Sequence, residues 1–87
     1  MASYRIEVKP SALKELEKLP RPILLKVVTA IRGLGDDPYP QGVKKLAGFE
    51  RTYRVRVGEY RILYDVYHEK LIIQIIRVKH RKDAYRR

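Results

Sequence analysis

Tyr4, Ile6 and Val8 alternate with Arg5, Glu7 and Lys9, the period-two signature of a half-buried strand. Pro10 and Ser11 follow, and both suit a first helical turn. Leu13, Leu16 and Leu19 then recur at helical spacing with charged residues between them. Pro20 and Pro22 end that run, because a proline inside a helix removes a donor and clashes with the preceding turn. Ile23, Leu24, Val27, Val28, Ile31 and Leu34 predict a second helix at once, with Gly33 and Gly35 as its expected stop. The segment DDPYPQG, residues 36–42, reads as a loop, and residues 43–48 lead from it toward a sheet. Three strand-like runs come next, Thr52 to Val57, Tyr60 to Tyr67 and Leu71 to Val78. The last, LIIQIIRV, is so nearly continuous that it predicts a central strand covered on both faces.

This order, β-α-α-β-β-β, predicts an α+β fold in one domain spanning residues 1–87. Neither helix can bury its apolar stripe alone, so the helical hairpin is expected to cover one face of a mostly antiparallel sheet. The other face stays at least partly open. A two-residue Gly58-Glu59 turn pairs Val57 with Tyr60, Arg56 with Arg61 and Val55 with Ile62. Alternation then places Tyr53, Val55, Val57, Tyr60, Ile62, Tyr64 and Val66 under the helices. Arg54, Arg56, Arg61, Leu63, Asp65 and Tyr67 fall on the opposite face.

Like charges directly across a hairpin destabilise it, so a bound polyanion is the natural compensation. The composition agrees. Twenty Lys and Arg against ten Asp and Glu give a net charge of +10 on 87 residues. That excess favours nucleic acid, ribosomes, anionic lipid or an acidic protein as partner. Hydrophobic residues make up 45% of the chain, which suits a folded domain. With no cysteine, a disulfide framework and a zinc–thiolate site are both excluded. No cofactor is implied, and no cluster with metal-ligand spacing stands out. MASYRIEVKP carries no apolar run of signal-peptide length, and no apolar stretch is long enough to span a bilayer. A cytoplasmic location without membrane association is expected by default.

The candidate chemistry lies in the basic strands and the tail. Guanidinium groups present a planar fork that matches phosphate. Arg54, Arg56 and Arg61 on a rigid sheet can hold a phosphate and stabilise charge that develops during attack on it. Lys44, Lys45, Arg51, Lys79 and Lys82 are further candidates for backbone contact with RNA. In the tail, Arg81 adds another guanidinium, His80 can serve as acid or base near neutral pH, and Tyr85 can donate a proton or stack on a base. The tail is able to fold back over the open face.

Three stretches, ALKELEKLP, KKLAGFERTYRVRVGEYRILYDV and VKHRKDAY, together resemble the RelE/ParE superfamily of toxins from type II toxin–antitoxin pairs, over nearly the whole chain. The resemblance, on its RelE-like side, implies a metal-independent endoribonuclease that enters the ribosomal A site and cuts mRNA, with the ribose 2′-hydroxyl as nucleophile. It implies roles for Arg54, Arg56, Arg61, Arg81 and Tyr85. Arg61 and Arg81 would stabilise a phosphorane-like transition state, and Tyr85 would stack on the target base or take part in proton transfer. It also implies a small acidic antitoxin as partner, RelB-like or similar. One departure stands out. The RelE pattern has lysines where Arg54 and Arg56 stand here, and arginine does not give up its proton. The general base is then His80, Tyr85 or a group of the ribosome. ParE-like inhibition of DNA gyrase, and a non-catalytic basic RNA-binding module, are the alternative readings.

Overall fold

The computed structural model describes residues 3–83. Strand β1 (Arg5–Val8) leads into helices α1 (Pro10–Glu17) and α2 (Arg21–Asp36), followed by strands β2 (Lys44–Lys45), β3 (Thr52–Val57), β4 (Tyr60–Tyr67) and β5 (Ile72–His80). They form one sheet in the order β1-β5-β4-β3-β2. Only the β1–β5 pair is parallel; the other pairs are antiparallel. The expected α+β architecture is thus present, with the two-residue β2 added where the sequence shows only a lead-in to the sheet.

Each helix carries a proline in its first two positions, Pro10 and Pro22, where a missing N–H costs nothing. The buried stripe of α1 is Ala12 and Leu16, continued by half-buried Leu19. Leu13 is half exposed, so the apolar face starts one residue earlier than the leucine spacing suggests. On α2, Val27, Ile31 and Leu34 are buried. Against them lie Val55, Ile62, Tyr64, Val66, Ile73, Ile75 and Val78 of the sheet. Burying each such side chain contributes roughly 1.5–3 kcal/mol before entropy is counted.

The glycines of α2 do not stop it, contrary to expectation. The helix continues to Asp36. Gly35 is instead a point of close approach: the Tyr4 N–H donates to its carbonyl at 2.8 Å, and a β-carbon at position 35 would sit 2.9 Å from the Tyr4 carbonyl oxygen. The start of β1 packs there on bare helix backbone.

The apolar run of β5 also has a different cause from the one expected. The strand is interior, between β1 and β4, but only its helix-side face is covered. Ile72, Gln74 and Ile76 on or near the other face are half-buried. The register skips Ile76, so Leu63 pairs with Arg77 and Tyr64 with Ile75. That bulge resets the alternation. Ile73, Ile75 and Val78 all reach the core, and Arg77 and Lys79 turn to the open face.

Beyond the bulge, β1 has ended and the edge of β5 would be unpaired, a liability in any sheet. Helix α1 covers it. Ser11 Oγ donates to the Ile76 carbonyl at 3.2 Å. One turn later Glu15 Oε1 accepts the Val78 N–H at 2.7 Å, and its Oε2 lies 3.1 Å from Arg77 and 3.0 Å from Lys79. Burial pushes the Glu15 carboxyl up. The Val78 N–H, Lys79 and Arg77 outweigh that and hold it below the ordinary carboxylate value.

A cationic face as candidate nucleic-acid interface

The β3–β4 hairpin has the expected register, with Val57 opposite Tyr60, Arg56 opposite Arg61 and Val55 opposite Ile62. Gly58 takes φ +58° at the turn, a conformation glycine adopts without steric cost. Two cross-strand rows of cations result. Arg56, Arg61 and Lys79 form the first, since Arg61 also pairs with Lys79. Lys44, Arg54 and Arg77 form the second, with Leu63 between the arginines. Cross-strand partners share a face, so all six lie on the face turned away from the helices.

Gly42, Lys44, Arg54, Arg56 and Arg61 line one concavity of about 160 Å³. The Arg56 Nε donates to the Gly58 carbonyl at 2.9 Å, which fixes its guanidinium beside the turn. The approach to Lys44 is held from the far side. The Tyr39 hydroxyl lies 2.6 Å from His68 Nε2, and the Tyr4 hydroxyl 2.8 Å from His68 Nδ1. Tyr39 packs edge-on against Tyr53 at 5.0 Å, and buried Tyr64 donates to the Pro38 carbonyl at 2.6 Å. Burial first, then neighbouring Tyr53 and Tyr4, push the Tyr39 hydroxyl up to about 12. Burial raises Tyr64 as well, with Tyr39 and Asp37 adding to it. Both stay protonated at neutral pH, and the loop that delivers Gly42 and Lys44 is pinned.

The ion pairs are unevenly placed. Arg77 and Lys79 bind Glu15, Arg51 binds Glu50 and Glu69, and Arg81 binds Glu59. Among the described residues, no carboxylate lies within ion-pair distance of Lys44, Arg54 or Arg56. The fold neutralises the cations around the concavity and leaves these three within it to an outside anion.

The other sequence-derived candidates separate accordingly. Arg81 leaves β5 at the hairpin end: its N–H donates to the Glu59 carbonyl at 2.7 Å and its Nε lies 3.3 Å from Glu59 Oε2. Its guanidinium is about half exposed, so this pair is weak and readily exchanged. Lys79 is engaged by Glu15. Arg51 lies at the opposite end of the sheet, 5.0 Å over the Tyr67 ring. Lys45 pairs with Tyr53 and so belongs to the helix-side face. Lys82 is exposed in the turn after β5, its N–H donating to His80 Nδ1 at 3.2 Å.

His80 does not join the arginines. It pairs with Tyr60, with ring centroids 5.2 Å apart, and Tyr60 belongs to the helix-side face. The imidazole thus shares the helix-side face with Tyr60, opposite the face of the arginines. Tyr85 falls outside the described residues. Sequence reasoning missed Gly42, whose φ of +87° brings bare backbone to the concavity. It also missed Glu15, which looks like one more solvated helix charge.

Residues 6–85 match the family model described as the ParE toxin of type II toxin–antitoxin systems. The chain belongs to the RelE/ParE toxin family. Its match to toxin RelG of Mycobacterium tuberculosis is 39% identical over 88 residues, covering 97% of this chain and 98% of RelG. The archaeal RelE–RelB complex from Pyrococcus horikoshii OT3 contains a chain that superposes with a TM-score of 0.81 at 30% identity, over 91% of this chain and 96% of that one. In the M. tuberculosis toxin–antitoxin complex RelBE2 the values are 0.78 and 34%, over 90% and 98%. These relatives place the chain on the RelE-like side of the RelE/ParE family. No helix among its described residues is long and apolar enough to cross a membrane.

Proposed function

We propose that this RelE-like toxin is a cytoplasmic endoribonuclease that cuts mRNA in the ribosomal A site and is held inactive by an acidic antitoxin. The observation that carries the reading is the concavity of Lys44, Arg54, Arg56 and Arg61, whose surrounding cations are neutralised within the fold while Lys44, Arg54 and Arg56 are not. A phosphodiester supplies the missing charge. In this reading the ribose 2′-oxygen attacks phosphorus, the bond to the 5′-oxygen breaks, and the products are a 2′,3′-cyclic phosphate and a 5′-hydroxyl. Guanidinium groups fixed before the reaction stabilise the extra negative charge without reorganising. Arg81 joins them by exchanging Glu59 for phosphate. With His80 across the sheet and arginines unable to accept a proton, the base is Tyr85 or a ribosomal group. The antitoxin's acidic side chains occupy the same cationic face, in competition with RNA.

Programmed ribosomes carrying an mRNA with a single 2′-deoxy nucleotide in the A site test this. We expect a discrete cut in the all-ribose message and none at the deoxy position. Cutting that ignores the missing 2′-hydroxyl rules out the proposed chemistry. If the all-ribose message also stays whole, gyrase inhibition becomes the reading to pursue.

A further inference from the structure

Gln74 interrupts an otherwise apolar strand, LIIQIIRV, in the interior of the sheet. It lies on the open face in the row Glu7, Gln74, Asp65. The residue is half-buried, yet its side-chain amide makes no hydrogen bond to any described residue. Its amide is left to solvent and is available to a ligand that reaches the open face. Beside it, Glu7 gives Oε2 to Arg5 at 3.2 Å and has no described partner for Oε1. Glu7, Gln74, Ile72, Tyr67 and Lys70 line a second concavity of about 190 Å³. The Tyr67 ring is steadied by Arg51 at 5.0 Å and by its hydroxyl on Asp65 at 3.4 Å, with the Lys70 ammonium 5.9 Å from the ring.

An aromatic ring, an apolar floor, an uncommitted amide and a free carboxylate oxygen suit a planar heterocycle with polar edges. The place is also suitable. Leu63 of the second cation row and Asp65 of the Gln74 row are two residues apart on β4, and Tyr67 is two further. From Arg61, which lines the cationic concavity, to Tyr67, which lines this one, is six residues along β4, roughly 20 Å at about 3.3 Å per residue, on the same face. One extended strand can reach both. We infer that this concavity seats a nucleobase of the RNA strand whose phosphate the arginines hold, a few nucleotides from the cut. It selects bases with an exocyclic amino group over uracil. The carboxylate of Glu7 only accepts hydrogen bonds, so it pairs with an amino group and is set against a carbonyl. The amide of Gln74 supplies both a donor and an acceptor, as in its pairing with adenine. This rests on the RNA-cutting reading above.

The test uses the purified full chain and short fluorescent oligoribonucleotides, 2′-O-methylated at every ribose so that they bind but are not cut. Adenosine is replaced by uridine one position at a time, and dissociation constants are read by anisotropy. For the wild type we expect one position at which uridine weakens binding by roughly five- to hundredfold. Glu7→Gln, which keeps the shape, and Gln74→Ala should flatten that preference, while the dependence of affinity on salt, set by phosphate contacts, stays as in wild type. Thermal melts of both variants confirm the fold. A wild type that binds but shows no base preference at any position overturns the inference and leaves the proposed function standing. So does a preference that persists in both variants. A wild type that binds none of the oligonucleotides, and does not cut on ribosomes either, overturns both.

Discussion

Arg54 and Arg56 stand two residues apart on one strand, with Lys44 and Arg61 across from them. Such neighbours repel, by roughly 0.2–1 kcal/mol per pair at a sheet surface. A residue kept only for folding would not be placed there, and this separates function from stability at single positions. Arg54→Ala should weaken RNA binding, lower the slope of log affinity against log salt by about one, and leave the melting temperature unchanged or raised. Fluorescence binding across a salt series and a thermal melt on the same sample check both halves. A variant that melts well below wild type would assign Arg54 a structural role instead. The arginine face was legible in the sequence because strand alternation and a two-residue turn determine it completely. The placement of His80 was not. Which way a residue points near the end of β5 depends on the bulge at Ile76, and nothing in LIIQIIRVKH marks that slip.

At the level of elements, two glycines in one helix make opposite predictions. Gly33 has nothing within 4 Å of where a β-carbon would sit, so Gly33→Ala should stabilise by about 0.5–1 kcal/mol through helix propensity. Gly35→Ala gains the same propensity but forces a β-carbon to 2.9 Å from the Tyr4 carbonyl, so it should destabilise by loosening β1. Urea unfolding of the two variants beside wild type distinguishes them by sign. In the sequence Gly33 and Gly35 look alike as stop signals, because composition shows that a glycine is present but not what approaches it. Glu15 makes a second prediction. Its carboxyl is held below the value of 4.5 it would have unfolded. It therefore contributes stability above about that pH, and the contribution is lost as pH falls through the lower folded value. Glu15→Gln should cost about 1–3 kcal/mol at pH 7. The gap to wild type should close in acid, measured by denaturant unfolding across pH. A constant gap contradicts the role assigned to this carboxylate. The helices, strands and hairpin register could be read from periodicity. The covering of the β5 edge could not, since it joins residues more than sixty positions apart.

Across the whole molecule, the net charge of +10 is organised by where the acids are placed. Carboxylates accompany Arg77, Lys79, Arg81 and Arg51, and the described concavity of Lys44, Arg54, Arg56 and Arg61 carries none in its lining. On the proposed reading an acidic antitoxin is steered to the same face as RNA, so its affinity should fall as ionic strength rises from about 50 to 500 mM, as the screening length contracts. Titration calorimetry with the antitoxin at several salt concentrations reads this directly, and a dissociation constant indifferent to salt would count against charge as the basis of neutralisation. Overall fold class and partner chemistry were both within reach of the sequence, since charge and periodicity survive without coordinates. The division of the open face into a cationic half and a polar half was not, because it depends on which side chains are already engaged.

In the proposed function, guanidinium groups in the hairpin concavity stabilise the transition state of RNA cleavage. The most direct measurement is single-turnover cleavage on programmed ribosomes by wild type, Arg56→Ala and Arg61→Ala, with ribosome binding measured alongside. Each variant should still bind and should cut about 10²–10³-fold more slowly. Cleavage at the wild-type rate in both variants would contradict this role.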